Sequence, residues 1–153
     1  MATRHFLWRL TFLTLLIALG GCNDLPEGKP SESPDQTYSR YFAMVKAGRS
    51  FEQDKVFYSK ARQAEVMEKV SARSNGDAES VTGLKNAYLR MTEHMSKCSE
   101  LTLLEESIEG IKAHLIYDIK DLCENNYGTE GREVIEMINE DGWKIASNTT
   151  SWK

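Results

Sequence analysis

The sequence predicts an α+β fold in which N-terminal helices pack on a curved antiparallel sheet of four or more strands. Apolar residues recur at the 3.6-residue spacing of helices as far as about Cys98, and at the two-residue spacing of strands beyond it. Turn signals at Glu109-Gly110 and Asp141-Gly142 separate runs that read as strands. Because such short connections join antiparallel neighbours, the strands should form a meander.

The chain begins with a segment typical of secretion. Arg4 and Arg9 precede an apolar run over residues 10–19, which ends in Leu19-Gly20-Gly21-Cys22. This arrangement resembles the signal peptide and lipobox of bacterial lipoproteins, in which the cysteine receives a diacylglycerol group. The run is about half as long as a membrane-spanning helix requires. Cleavage without lipid is the alternative, but ordinary cleavage sites read Ala-x-Ala.

The lipobox resemblance implies a location. Residues 1–21 would be removed, and acyl chains on Cys22 would hold the protein at a membrane of the bacterial cell envelope, facing the periplasm. In Gram-negative lipoproteins an Asp after the cysteine favours the inner membrane, so Asn23 favours the outer membrane. Residues 22–33 are rich in proline, serine and charge, a composition that cannot bury a core, and should form a lipidated flexible tether.

The mature chain is acidic. Removal of residues 1–21 takes away Arg4 and Arg9 and no carboxylate, so the formal net charge changes from −4 to −6. Nucleic acid binding needs a basic face that displaces counterions, so nucleic acid is not an expected partner. The same balance argues against electrostatic adhesion to anionic lipid, which leaves the acyl chains at Cys22 as the expected contact with the membrane.

Residues 34–153 should form a single domain that opens with helices. Ser33, Pro34 and Gln36 form a predicted capping box, and Gly48 provides a left-handed stop. Ser50 begins a second box, followed by a helical stretch with a candidate break near Ser59; a third helix is expected from about Ser80 to Met95. The apolar residues available for buried faces are Tyr38, Tyr41, Phe42 and Val45, then Val56, Phe57, Ala61, Ala64, Met67 and Val70, then Val81, Leu84, Tyr88, Met91 and Met95.

Four strands are predicted after the helices, over residues 100–107, 111–123, 132–139 and 143–150. In the second strand apolar residues alternate with polar ones, which indicates one buried and one solvated face. The residues expected on the buried face are Ile111, Ala113, Leu115, Tyr117 and Ile119, whereas His114 should face away from it with Lys112, Asp118 and Lys120.

The remaining thiols, Cys98 and Cys123, would lie in an oxidising periplasm, where pairing is the default, and we predict a disulfide. Two reduced, buried cysteines are the alternative. A two-residue loop at Glu109-Gly110 places Cys98 opposite Asp121, one diagonal from Cys123 and just beyond comfortable bridging distance, so a bulge or a longer loop is needed. No metal site is expected, because His94 and His114 have no ligand spacing with these cysteines.

Helices followed by a meander that ends in Glu140-Asp141-Gly142-Trp143-Lys144-Ile145 resemble the nuclear transport factor 2-like fold, also called cystatin-like α+β. The segment from Tyr41 to Gly48 is similar to the first helix of small bacterial lipoproteins of this type, most of them without an assigned function. The resemblance covers most of residues 35–153. Such folds usually have a short extra strand among the helices, for which the sequence pattern shows no counterpart.

The resemblance implies a cone-shaped pocket between the helices and the concave face of the sheet. The residues expected there are Tyr117, Asp121, Tyr41 and Trp143. A catalytic pocket would need a general base and a hydrogen-bond donor, and Tyr117 and Asp121 are the polar candidates on the buried face. Each also has a structural interpretation, which we favour: the tyrosine as a large core side chain and the aspartate as a solvated strand end.

An anchor, a tether and a compact domain without a catalytic motif favour a lipid-anchored binding or interaction module that faces the periplasm. No catalysis and no cofactor are expected. One alternative is a small isomerase-like or dehydratase-like enzyme that uses the cone pocket, and another is an envelope immunity or inhibitor protein. Expected partners are the membrane, through Cys22, and an envelope protein or a small hydrophobic ligand.

Overall fold

A computed structural model describes residues 32–74, 77–123 and 129–153. The predicted signal peptide, the lipid attachment site Cys22 and the tether up to residue 31 lie outside these ranges. Within them, no helix is long and apolar enough to cross a membrane. The elements are α1 (Pro34–Ala47), α2 (Phe51–Lys55), α3 (Lys60–Ser74), α4 (Ala78–Lys97), β1 (Ser99–Glu109), β2 (Lys112–Asp121), β3 (Glu130–Asn139) and β4 (Trp143–Trp152).

The strands form one antiparallel sheet in the order β1-β2-β3-β4, and the helices cover one of its faces. The predicted α+β class and the four-stranded meander are therefore confirmed, and the arrangement agrees with the nuclear transport factor 2-like fold that the sequence resembles. Register shifts between Leu103 and Glu105 in β1, and opposite Glu136 and Met137 in β4, mark bulges. Bulges increase the local bend and twist of a strand.

The helix starts follow the predicted local signals. Ser33 and Gln36 form a complete capping box at α1, and Ser50 and Gln53 form another at α2. α1 ends at Gly48, whose φ of 83° lies in the left-handed region that glycine adopts without strain. These boxes satisfy backbone donors that would otherwise have no partner at the first turn.

The second helical stretch breaks where the sequence indicated, and the break pairs with the sheet. Between α2 and α3 the Ile145 amide donates to the Phe57 carbonyl at 2.7 Å, and the Ser59 amide donates to the Ile145 carbonyl at 3.0 Å. Tyr58 and Ile145 thus form a parallel bridge. The sequence showed no counterpart of the short extra strand usual in nuclear transport factor 2-like folds, and a single bridging residue is too short to give a sequence signal.

The core lies between the helices and β2, β3 and β4. The odd-numbered residues of β2 and β3 point toward the helices, and most of them are buried. Tyr38, Phe57 and Tyr58 contribute the aromatic part of the helical layer. The sheet residues that pack against them are Ala113, Leu115, Tyr117, Ile135, Met137 and Ile145.

The first hairpin differs from the prediction by its turn. The turn residues are Gly110 and Ile111 instead of Glu109 and Gly110, because Glu109 pairs with Lys112 and Gly110 adopts a positive φ of 60°. Ile111, expected on the buried face of β2, therefore lies in the turn and is 60% exposed. The bulge near Leu104 then shifts the register of the remaining pairs by one residue.

Several apolar residues assigned to buried helix faces are exposed. Val56 is 61% exposed because it lies in the break between α2 and α3, and Met91 is 55% exposed on α4. Met67 and Met95 are partly exposed as well. α4 packs mainly against α1 and α3, and α3 packs mainly against α4, so each leaves part of its apolar stripe outside the core.

The disulfide between Cys98 and Cys123 is present, with Cα atoms 5.1 Å apart. The Leu122 amide donates to the Cys98 carbonyl at 2.7 Å, so Cys98 lies opposite Leu122 instead of the predicted Asp121. β2 ends at Asp121, and the Asp121 carboxylate accepts a hydrogen bond from the Cys123 amide at 2.9 Å. This register and the bend after β2 bring the two cysteines within the usual bridging distance.

Candidate functional site

A cavity of about 130 Å³ lies between α1, α4 and the helix-facing side of the sheet. Aromatic and aliphatic side chains line it together with polar ones. We call it the cone cavity. Its lining residues include Tyr38, Tyr41, Val45, Tyr88, Ile119, Glu133, Asn148 and Trp152.

Glu133 is the carboxylate in the lining of the cone cavity. It is one of the odd-numbered residues of β3, which point toward the helices, and it is only 7% exposed. Asn148 of β4 donates to Glu133 Oε1 at 3.3 Å, and the Tyr38 hydroxyl also hydrogen-bonds to this carboxylate. Burial raises the pKa of Glu133, and the two hydrogen bonds offset only part of that effect.

Tyr38 fixes this carboxylate from the helical layer. Its side chain is 3% exposed, and its ring lies 5.3 Å from the ring of Tyr117 and 5.8 Å from that of Tyr41. Burial, followed by the nearby charge of Glu133, raises the pKa of Tyr38 well above its ordinary value. The phenol therefore stays protonated and can donate to Glu133.

The opposite wall of the cone cavity carries a network of tyrosine hydroxyls. The hydroxyl of Tyr58 lies 3.1 Å from that of Tyr41 and 2.8 Å from that of Tyr88. Tyr58 itself donates to Asp54 Oδ2 at 2.8 Å. Burial is the main cause that raises the pKa of all three phenols. The network thus presents neutral hydroxyl groups, of Tyr41 and Tyr88, toward the cavity.

A buried ion pair supports this network from behind. Arg49 Nε lies 2.5 Å from Asp54 Oδ1, and the two side chains are 1% and 0% exposed. Arg49 also donates to Thr92 Oγ1 at 3.0 Å, and its guanidinium lies 6.0 Å from the ring of Tyr41 and 5.7 Å from that of Tyr88. Burial alone would lower the pKa of Arg49, but the hydrogen bond and charge of Asp54 outweigh it and raise the pKa.

This arrangement has a defined chemical capacity. On one wall, Glu133 can accept a hydrogen bond or a proton, and its raised pKa brings it closer to neutral pH than an exposed carboxylate. On the other wall, Tyr58 uses its proton for Asp54, so the hydroxyls of Tyr41 and Tyr88 donate to Tyr58 and offer a ligand their lone pairs as acceptors. A compact ligand with an apolar body and polar groups at two ends matches these walls.

Of the four residues predicted for the pocket, Tyr41 lines the cone cavity. The Tyr117 hydroxyl donates to Asp35 Oδ1 at 2.8 Å. Tyr117 lines a separate shallow groove between α1 and β1. Asp121 lies at the end of β2, where its carboxylate accepts from the Cys123 amide. Trp143 is partly buried and packs against the core. The structure therefore does not bring Tyr117, Asp121 and Trp143 together with Tyr41.

Sequence reasoning missed most of the polar residues around the cone cavity. Glu133 had a usable signal, because it falls on the same alternating phase of β3 as Ile135 and Met137. Arg49 and Asp54 had none, since charged residues near a helix start are usually solvated. Trp152, which lies beyond the predicted end of the last strand, pairs with Gly131 and lines the cavity.

The outer face of the sheet carries a further polar pair. His114 Nδ1 lies 2.7 Å from Glu136 Oε1, its partner in the neighbouring strand. His114 thus faces away from the core, as predicted from the alternation in β2. Over the ranges that the structure describes, no group of three or more His, Cys, Asp or Glu residues could hold a metal ion.

Comparison with known proteins gives one structural likeness. No family model matches the sequence, and no curated protein matches it significantly. Among solved structures, the fold is similar to an NTF2-like protein of unknown function from Cytophaga hutchinsonii, with 13% sequence identity and a TM-score of 0.43. The match covers 82% of this chain and 94% of that chain. A likeness with such low sequence identity and TM-score does not bear on function.

Proposed function

We propose that the protein is a lipid-anchored module of the cell envelope that binds a small ligand in the cone cavity. The observation that carries the proposal is the buried Glu133, which lines the cone cavity together with Tyr41 and Tyr88. Burial of a carboxylate costs stability, and binding sites are a common reason for that cost. The expected ligand is compact and largely apolar, with a hydrogen-bond donor for Glu133.

Native mass spectrometry of the mature protein, purified from the envelope in mild detergent, tests the binding function. We expect a co-purifying small molecule in the wild type and its loss in Glu133→Leu, which removes the acceptor. Lys60→Leu, a change to the same residue at an exposed position outside the lining of the cone cavity, is the matched control. A ligand retained equally by all three proteins would place its site elsewhere.

The anchor is tested separately. We expect the mature chain to begin at Cys22 with the added mass of acyl chains, and to fractionate with the outer membrane. Cys22→Ser should abolish the acyl mass and release the protein from the membrane fraction. An acyl-free wild-type chain found in the cytosol would contradict the anchor and leave the cavity function to be judged alone.

Proton-transfer catalysis is the second candidate function, and the raised pKa of Glu133 is the observation that favours it. In this version Glu133 is the base, in place of the predicted Tyr117 and Asp121. Glu133→Gln discriminates the two functions. A binding module keeps the ligand in this variant, whereas an enzyme keeps the ligand and loses turnover, read as exchange of a ligand proton for deuterium.

An interaction with an envelope protein is favoured by a different observation. The tip of the β1–β2 hairpin exposes large apolar side chains, with Ile108 at 53% and Ile111 at 60%. Exposed apolar patches commonly mark contacts with partners. Ile108→Ser with Ile111→Ser should abolish co-purification of a partner protein if the hairpin tip is its contact.

A further inference from the structure

A second concave site lies on the other side of the helical layer, between α3 and α4. It is a groove of about 200 Å³, which we call the helix groove. Its floor is apolar and includes Val66, Val70 and Leu84, with Phe51 at one end. Tyr88 separates it from the cone cavity, because its side chain contributes to both walls.

The rim of the helix groove is basic. Arg62, Lys69, Arg73 and Lys85 line it, and its lining contains no carboxylate. Arg62 and Lys69 share one partner, Glu65, at 2.9 and 2.5 Å. In the part of the chain that the structure describes, Arg73 and Lys85 form no ion pair. The rim therefore carries more positive charge than its paired carboxylate, Glu65, neutralises.

One donor at the helix groove is also unused. Arg62 Nε is buried and has no hydrogen-bond acceptor among the described residues. A buried donor without an acceptor is unfavourable, and an acceptor supplied by a ligand would remove that penalty. The Lys85 ammonium lies 4.6 Å from the centroid of the Phe51 ring, which positions this cation beside the apolar floor.

The charge of the whole domain makes this concentration of cations unusual. Residues 34–97 carry eleven basic and eight acidic side chains, whereas residues 98–153 carry five and twelve. The helical layer is thus positive although the mature chain is acidic. A negatively charged molecule is attracted to the helical layer and repelled by the sheet.

We propose that the helix groove binds a single-chain anionic amphiphile, with the anionic head at the cationic rim and the alkyl chain on the apolar floor. A fatty-acid carboxylate is the simplest such molecule. The concave floor suits one alkyl chain, and the charge around it selects the sign of the head. A flat bilayer surface would instead require a convex face with projecting cations, which this groove does not present.

Isothermal titration of the full chain carrying Cys22→Ser, which has no acyl chain to compete, tests this proposal. We expect one dodecanoate ion to bind per chain below its critical micelle concentration, and dodecyltrimethylammonium to bind at least tenfold more weakly. Each methylene removed from the carboxylate should weaken binding by up to about fourfold, from about 0.8 kcal/mol per buried CH₂. Equal affinity for octanoate and dodecanoate would overturn the proposal.

Charge reversal locates the site. Arg73→Glu with Lys85→Glu should weaken dodecanoate binding at least tenfold. The matched control is Lys60→Glu with Arg90→Glu, which reverses two exposed charges on the same helices outside the groove and should change affinity by less than twofold. Equal losses of affinity in the two double variants would mean that net charge alone sets dodecanoate binding, and would overturn the proposal. Binding of the protein to anionic phospholipid vesicles, without binding of monomeric dodecanoate, would also overturn it.

A third measurement separates this site from the cone cavity. Glu133→Leu should leave dodecanoate binding unchanged, because Glu133 does not line the helix groove. If dodecanoate binding disappears in Glu133→Leu and persists in Arg73→Glu with Lys85→Glu, the amphiphile occupies the cone cavity and the helix groove is not a site. Failure of the helix groove in these tests leaves the ligand found by native mass spectrometry, and hence the cone cavity, unaffected.

Discussion

The guanidinium of Arg49 and the carboxylate of Asp54 lie 2.5 Å apart with side chains that are 1% and 0% exposed. Asp54→Asn removes the negative charge and leaves Arg49 buried without compensation. We expect the free energy of unfolding to fall by about 3–5 kcal/mol, measured by urea denaturation. Asn has one acceptor oxygen where Asp54 uses two, for Arg49 and for Tyr58, so the substitution should also loosen the tyrosine network.

The Arg40–Glu32 pair supplies the control for this prediction. Its side chains are 56% and 38% exposed, with a similar distance of 2.7 Å. Arg40→Met should change stability by less than about 1 kcal/mol, since water screens an exposed pair. Equal effects of Asp54→Asn and Arg40→Met would show that burial does not set the strength of the Arg49–Asp54 pair.

Glu133 should make stability depend on pH. Burial raises its pKa in the folded protein above the ordinary value of 4.5, so the folded state holds the proton more tightly than the unfolded chain. The contribution of Glu133 to the free energy of unfolding is fully present below pH 4.5, and it is lost as the pH rises through the pKa of Glu133 in the folded protein. Glu133→Gln should remove this loss, about 1.4 kcal/mol for each unit between the two pKa values.

Denaturation of the wild type and of Glu133→Gln at several pH values between 4 and 8 checks this prediction. The variant should gain stability relative to the wild type as the pH rises, and the gain should stop once Glu133 is ionised in both states. Glu130→Gln, at an exposed residue of the same strand, is the matched control. A wild type whose stability rises over this range relative to Glu133→Gln would contradict the sign.

The Cys98–Cys123 disulfide should contribute substantially to stability. It closes a loop with a sequence separation of 25 residues. On the chain-entropy model this corresponds to about 3.5 kcal/mol. Replacement of both cysteines by serine should lower the free energy of unfolding by about this amount. Reduction of the wild type should give a similar loss, and an unchanged denaturation midpoint after reduction would contradict the estimate.

Gly131 permits a close approach of β4 to β3 beside Trp152. A Cβ atom there would lie 2.6 Å from the Ser151 carbonyl oxygen and 2.9 Å from Trp152 Cε3. Gly131→Ala should therefore displace Trp152 and lower stability by about 1–3 kcal/mol. Tryptophan fluorescence should change with the variant. Gly83→Ala is the control, because its Cβ meets no atom within 4 Å and the change should stabilise α4.

The features that sequence reasoning predicted correctly are set by local chemistry. The capping boxes at Ser33 and Ser50 and the alternation of β2 depend on residues a few positions apart. The register between β1 and β2 is not set by local chemistry. It depends on a bulge at Leu104 and on a turn that includes Ile111, and both follow from the packing of the whole sheet. Local pattern could not determine either one.

The polar site could not be predicted for the same reason. Asp54, Tyr58 and Tyr88 come from three separate elements, and only the packing of α4 against α1 and α2 brings their side chains together. Glu133 is the exception. Its place among the apolar residues of β3 marked it as buried, and a buried carboxylate indicates a site more specifically than Tyr117 or Asp121 did.

The bridge between Tyr58 and Ile145 joins an early part of the domain to its final strand. Synthesis delivers a polypeptide starting from its N-terminus, so the helices exist before β4 is available as a partner. Phe57, Tyr58 and the groups that depend on them can reach their native positions only after β4 has been made. Folding of this domain is therefore completed late, and chains truncated within β4 should be degraded instead of accumulating.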